Sequence, residues 1–142
     1  MVPRTTRMSK NDITNRAKHA RGFLAAADIV GEFAEDVGDA TVANVVASLC
    51  VLAGIAAADA ICGLALGKRA AGESHLEAVA LLETATIHGR DYAKDLRRLL
   101  GVKANAQYSA DMLSFETSAN SRRWARRLID GMEQELVGPT LK

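Results

Sequence analysis

The sequence predicts an all-α protein, an up-and-down bundle of about five helices. Three observations lead there. Ala, Leu, Glu, Arg and Lys dominate the chain, and β-branched or aromatic residues are not gathered into alternating runs. Only two prolines occur, Pro3 and Pro139, so nothing between them breaks a helix by proline chemistry. Apolar residues recur at three- and four-residue spacing in long segments joined by short links.

The first helix is expected from about Asn11 to Val37. Phe23, Ala27, Val30, Ala34 and Val37 form its apolar face, and Gly38 is placed to stop it. The second runs from about Thr41 to Leu66 and stops at Gly67. The third starts at Ser74, where Ser74-x-x-Glu77 is a capping-box pattern, and ends near Ile87. The fourth covers about Arg90 to Val102, with Tyr92, Leu96 and Leu99 on one stripe. An irregular connection is expected over residues 103–117. The fifth helix covers about Ser118 to Val137, and its apolar arc holds Trp124, Ala125, Leu128, Met132 and Leu136. Residues 1–10 read as a flexible basic end, and 11–138 as a single helical domain.

At 142 residues, with 49% hydrophobic and 25% charged, the chain has the material for one core and is not of disordered composition. The two cysteines, Cys50 and Cys62, sit twelve apart on one helix, about 18 Å along its axis. They can neither pair with each other nor share a metal ion, and read as small apolar core residues. No metal-ligand spacing, phosphate loop or cofactor motif is present, so no metal or cofactor is expected. Charge is balanced at net +1 but unevenly placed. Residues 1–21 carry +5, while 22–66 carry six acids and no Lys or Arg. The basic start suits a solubilising end, or contact with nucleic acid or an acidic partner. It lacks the apolar core of a secretion signal, and a cytoplasmic protein is expected.

Residues 42–66 are long and apolar enough to cross a bilayer. Asp59 argues against it, since a carboxylate in lipid costs about 2.5–3.5 kcal/mol even on a lenient scale. Eight of the 25 residues are Ala, which adds little to insertion. A central helix of a bundle, with no membrane, is the expectation. On a helical wheel Asn44, Ser48 and Asp59 fall within about 60° of one another. That sector is either the most exposed edge of the helix or the wall of a polar pocket in which Asp59 is paired. The candidate partners are Lys103, Arg97, Arg69 and Tyr108.

Two further readings concern ligands. His75, in the first turn of the third helix, sits where the helix dipole favours a neutral imidazole, and is either a site residue beside Asp59 or a surface cap. Arg122, Arg123, Arg126 and Arg127 cluster on one arc of the fifth helix. They read as a nucleic-acid footprint or as charges paired locally with Asp130 and Glu133. His19 reads as solvated, and His88 as a partner of a helix C-terminus.

The stretches "AGIAAADAICGLALGKR", "GESHLEAVALL" and "AKDLRRLLGVKANAQY", in that order before a last amphipathic helix, resemble the HEPN superfamily over about residues 16–136. HEPN ribonucleases carry Arg, four to six residues, then His; here Lys103 falls in the Arg position and Tyr108 in the His position. Tyr108 has an ordinary pKa of about 10 against about 6.5 for His, and does not cycle protons near neutrality. Lys103 keeps a cation without the two-pronged guanidinium. The resemblance therefore implies a fold and a polar pocket at Asp59, His75, Lys103 and Tyr108. It also implies a homodimer and a role in binding a nucleotide, nucleic acid or partner protein, with catalysis weak or absent. The alternatives are a metal-independent endoribonuclease of a toxin–antitoxin pair, with His75 as the proton carrier, and a structural dimerisation or antitoxin-like module.

Overall fold

The computed structural model describes residues 4–38, 41–72, 74–108 and 113–140; within these, residues 34, 35, 37 and 105–108 are described by their backbone alone. The fold is all-α. Five helices form a bundle: α1 (Lys10–Val37), α2 (Thr41–Leu66), α3 (His75–Ala85), α4 (Gly89–Tyr108) and α5 (Phe115–Val137). A small antiparallel sheet joins β1 (Thr5–Arg7) to β2 (Lys68–Ala70), in the register Thr5 with Ala70 and Arg7 with Lys68.

Helix α2 is the centre. Val46, Cys50, Val51, Ala53, Ala57 and Ile61 are fully buried, as are most of its other small residues. Helices α1, α4 and α5 all pack on it. Among the described residues it is the one helix long and apolar enough to cross a membrane, but 67% of its most apolar window is buried inside the bundle. Its small residues let neighbours approach. A Cβ on Gly54 would meet Leu99 at 2.5 Å, and one on Gly63 would meet Ile13 at 2.7 Å and Met8 at 2.8 Å. The two expected helix stops are also present. Gly38 and Gly67 have φ of 72° and 71°, the left-handed conformation that ends a helix without a Cβ penalty.

The N-terminal segment departs from the expected flexible end. Thr5–Arg7 pairs with β2, the amide of Met8 donates to the carbonyl of Gly67 at 2.9 Å, and Met8 is buried. Ser9 caps α1: its hydroxyl accepts from the amide of Asp12, whose carboxylate accepts in return from the amide of Ser9. An exposed three-residue strand gives no periodic signal, so composition alone reads it as loose.

Helix α4 runs to Tyr108, six residues beyond its expected end, and α5 starts at Phe115, capped by Ser114. The irregular connection is correspondingly shorter. Residues 103–108, expected there, are helical because nothing in "KANAQY" stops a helix.

Outer helices are oriented by ion pairs. Asp28 on α1 receives both Arg122 and Arg126 from α5, Asp95 on α4 receives Arg127 from α5, and Glu133 on α5 receives Arg21 from α1 at 2.7 Å. At the far end the buried Glu135 accepts from the Tyr92 hydroxyl at 3.1 Å and from the amide and hydroxyl of Thr140. This ties the chain's last described residues to α4.

The Tyr92 ring lies against α5 at Gly131, where a Cβ would collide with it. Gly131→Ala is expected to cost roughly 1–3 kcal/mol through overpacking. Gly101, exposed and with open space around it, is the control. Gly101→Ala should stabilise by roughly 0.5–1 kcal/mol through helix propensity. Urea unfolding of both variants checks the pair.

Candidate functional site

The polar edge of α2 opens onto two adjoining cavities. The first, about 450 Å³, is walled by Asp59 of α2, Arg69 of β2, His75 of α3 and Lys103 of α4, over an apolar floor that includes Ile55 and Leu100. The second, about 580 Å³, lies on the α1 side and is walled by Arg7, Asp12, Arg16 and His19. Ile55, Asp59 and Arg69 belong to both.

Local structure explains each position. Gly67 turns the chain out of α2, and pairing with β1 then holds Arg69 beside the last turns of that helix. Ser74 starts α3, its hydroxyl accepting from the amide of Glu77 at 3.4 Å, so His75 occupies the first turn. Only half of the expected capping box forms. The Glu77 side chain faces Arg4 at 3.8 Å instead, and its Oε2 is buried without a hydrogen-bond partner among the described residues. Lys103 reaches the cavity because α4 continues past Val102.

Asp59 is paired, but not by the expected groups. Its carboxylate lies 3.1 Å from the Arg16 guanidinium, with Arg16 Nε donating at 3.2 Å. Arg97 is engaged elsewhere, with Glu83 at 3.0 Å, and the side chain of Tyr108 lies outside the described residues. Arg69 and Lys103 share the cavity with Asp59 without an ion pair to it. Arg16 is the residue that sequence reasoning missed. The signal was present: two long helices joined by a short turn run antiparallel, which brings the start of α1 to the end of α2.

Burial dominates the electrostatics of Asp59. It raises the carboxyl's pKa above the ordinary value, and the guanidiniums of Arg16 and Arg69 only partly offset this. The imidazole of His75 is shifted down, first by burial and then by the charge of Lys103. Both effects favour the neutral imidazole, the direction the sequence suggests. On the α1 side, His19 takes part in a 3.2 Å contact between its Nδ1 and Arg16 Nη1. Both cysteines are buried and free, their thiols pushed up to about 12.

Together the cavities carry four fixed cations, Arg7, Arg16, Arg69 and Lys103, against two carboxylates, Asp12 and Asp59. Arg7, Arg69 and Lys103 form no ion pair with any described carboxylate. The combined lining is net cationic. No group of three or more His, Cys, Asp or Glu able to hold a metal occurs among the described residues.

The arginines of α5 are differently employed. Arg122, Arg126 and Arg127 are held by Asp28 and Asp95 on neighbouring helices, and Arg123 bonds Asn120. Neither Asp130 nor Glu133 supplies the expected local pairing; Glu133 serves Arg21. Trp124 is half-buried against the core, with Arg98 5.8 Å from its ring centre.

Comparison with protein-family models, curated proteins and solved structures gives no match.

The raised pKa of Asp59 has a definite sign. The folded state binds this proton more tightly than the unfolded state does. Its favourable contribution is present below the unfolded value near 3.8 and is lost as pH rises through the folded value. At pH 7 the ionised group costs stability. Asp59→Asn is expected to melt at or above the wild-type temperature at pH 7, with the difference closing towards pH 4. A variant less stable at pH 7 would show that the Arg16 pair outweighs burial.

Proposed function

We propose that this protein binds a phosphate-bearing small ligand, a nucleotide in size and charge, in the cavity between Arg69, His75 and Lys103. The supporting observation is that two cations, Arg69 and Lys103, neither in an ion pair with a described carboxylate, line one space of about 450 Å³. Such a volume lies in the usual range for small-molecule sites, roughly 300–1,000 Å³, and its mixed lining of apolar floor and few polar groups is typical of them. The guanidinium of Arg69 offers the two-pronged donor geometry that phosphate oxygens accept, and Lys103 adds a point charge. His75 and the first turn of α3 bring further donors to the same wall. The apolar side of the cavity, Ile55, Leu96 and Leu100, suits a base or another flat group.

The resemblance to the HEPN superfamily supports the same location, because Lys103 falls in the position of that family's phosphate-holding Arg. It adds a second reading, a metal-independent ribonuclease, favoured by one observation: a neutral imidazole beside a cation in the same cavity. In that reading His75 accepts the proton of the 2′-hydroxyl as its oxygen bonds to phosphorus, the phosphorus–5′-oxygen bond breaks with the 5′-oxygen taking a proton from water, and Lys103 holds the phosphate. Cleavage of RNA in the presence of chelator, abolished by His75→Ala, would distinguish it from binding alone.

Calorimetric titration with nucleoside mono- and diphosphates tests the binding reading. Arg69→Ala and Lys103→Ala should each weaken binding at least tenfold and leave helicity and melting in place. Arg123→Ala, on α5, should change nothing. Equal affinities in all three variants and the wild type, or no heat for any phosphate, would overturn the site.

A further inference from the structure

The two cavities that meet at Asp59 divide their cations unequally. Lys103 lines only the first, Arg7 only the second, and Arg69 lines both. None of the three has an ion pair with a described carboxylate. A single phosphate held by Arg69 and Lys103 leaves the second cavity, about 580 Å³, with the charge of Arg7 uncompensated. A guanidinium on a cavity wall with no carboxylate of its own favours a second anion there. The rest of that wall adds donors. Arg16 Nη1 can only donate, so its 3.2 Å contact makes His19 Nδ1 the acceptor and puts the ring proton on Nε2. Thr6 and Asn15 line the same space. Asp12, the second carboxylate on this wall, is already engaged, accepting from the amide of Ser9 at 2.8 Å.

Asp59 stands where the cavities join, and its two oxygens differ. Arg16 Nε and Nη2 both meet Oδ2, at 3.2 and 3.1 Å. Oδ1 accepts no hydrogen bond from a described residue. It is not sealed in either, because the one buried side-chain oxygen without a partner among the described residues belongs to Glu77. An open carboxylate oxygen repels an anion and accepts from a hydroxyl. A run of linked phosphates laid across this junction meets like charge. An uncharged, hydroxylated link between two separate phosphates meets an acceptor instead.

Building on the anion site proposed above, we propose that the ligand is a bisphosphate whose two phosphates sit on different carbons of one sugar, as in a nucleoside 3′,5′-bisphosphate. One phosphate takes Arg69 and Lys103 in the first cavity. The other takes Arg7 in the second, with His19 on the same wall. The base lies over Ile55, Leu96 and Leu100, and the 2′-hydroxyl donates to Asp59 Oδ1. Joining two anionic groups in one molecule makes the second contact intramolecular, so affinity exceeds that of either group alone. A monophosphate uses half of this arrangement. A pyrophosphate keeps both charges in one cavity or sets them against Asp59.

Calorimetric titration of the full chain at pH 7 is the test. The probes are adenosine 5′-monophosphate, 5′-diphosphate and 3′,5′-bisphosphate, and the 2′-deoxy form of the bisphosphate. The bisphosphate should bind at least tenfold tighter than the monophosphate. It should also bind tighter than the diphosphate, and the 2′-deoxy form should lose several-fold. These comparisons on the wild-type chain need no variant. In Arg7→Gln, an exposed position whose folding is checked by helicity and melting, the ratio of bisphosphate to monophosphate affinity should fall to near one. A monophosphate that binds as tightly as the bisphosphate overturns this inference and leaves the simpler anion site standing. A diphosphate equal to the bisphosphate, or a ratio unchanged in Arg7→Gln, overturns the separated arrangement. Binding of none of the four overturns both readings.

Discussion

The structure depends on one rod of small and aliphatic side chains, α2, being surrounded. Between Thr41 and Leu66 the only ionisable side chains besides the two buried thiols belong to Asp59. Such a helix has only one narrow polar edge, so the other helices must enclose most of its circumference. Ala and Gly make the enclosure close. Leu99 and Leu128 lie against Gly54, and Ile13 and Met8 against Gly63, so α4, α5 and the start of α1 are drawn to within contact of its backbone. The hydrophobic term drives assembly but does not choose the rotation of each outer helix. Asp28 with Arg122 and Arg126, and Asp95 with Arg127, supply that choice, since each pair closes only when two particular helix faces meet.

Asp59 is the exception in α2, and its setting is the reason to look for function there. Burial raises its pKa even with Arg16 alongside, so the ionised form is held at a cost. A core built for stability alone has no need of it. Around it the fold gathers Arg69 by a strand pairing, His75 by a helix start and Lys103 by an extended helix. Three separate local devices thus converge on one edge of α2. The result is an excess of positive charge over an apolar floor, which suits a ligand with an anionic group and a flat one.

Much of the architecture was legible in the sequence because its signals are local. Gly38 and Gly67 stop α1 and α2 as their positions suggest, and Ser74 caps α3. The buried positions Ala27, Val46, Ala125, Leu128 and Met132 follow from three- and four-residue spacing. Leu136, placed on the same arc as Met132, is 37% exposed, and Glu135 takes the buried position beside it. The sheet was not legible: three exposed residues pairing with three others sixty positions away leave no periodicity. The site was half legible. Of the aligned residues Asn44, Ser48 and Asp59, only Asp59 lines the cavities, while Asn44 accepts from the amide of Leu113; His75 and Lys103, candidates from the sequence, share a cavity with Asp59. The partner of Asp59 was misassigned because pairing across helices depends on register, and the register of α1 on α2 places Arg16 there. The arginines of α5 looked free for the same reason, since their acceptors Asp28 and Asp95 lie on other helices.

The most direct test of the anion site is the ionisation of His75, followed by NMR of its ring proton through a pH titration with and without inorganic phosphate. In the free protein burial and Lys103 hold this imidazole below its ordinary value. A dianion seated between Arg69 and Lys103 would offset the repulsion, so the His75 midpoint should rise on saturation. A His75 midpoint unmoved by phosphate, or one that moves equally in Arg69→Ala, would contradict the site.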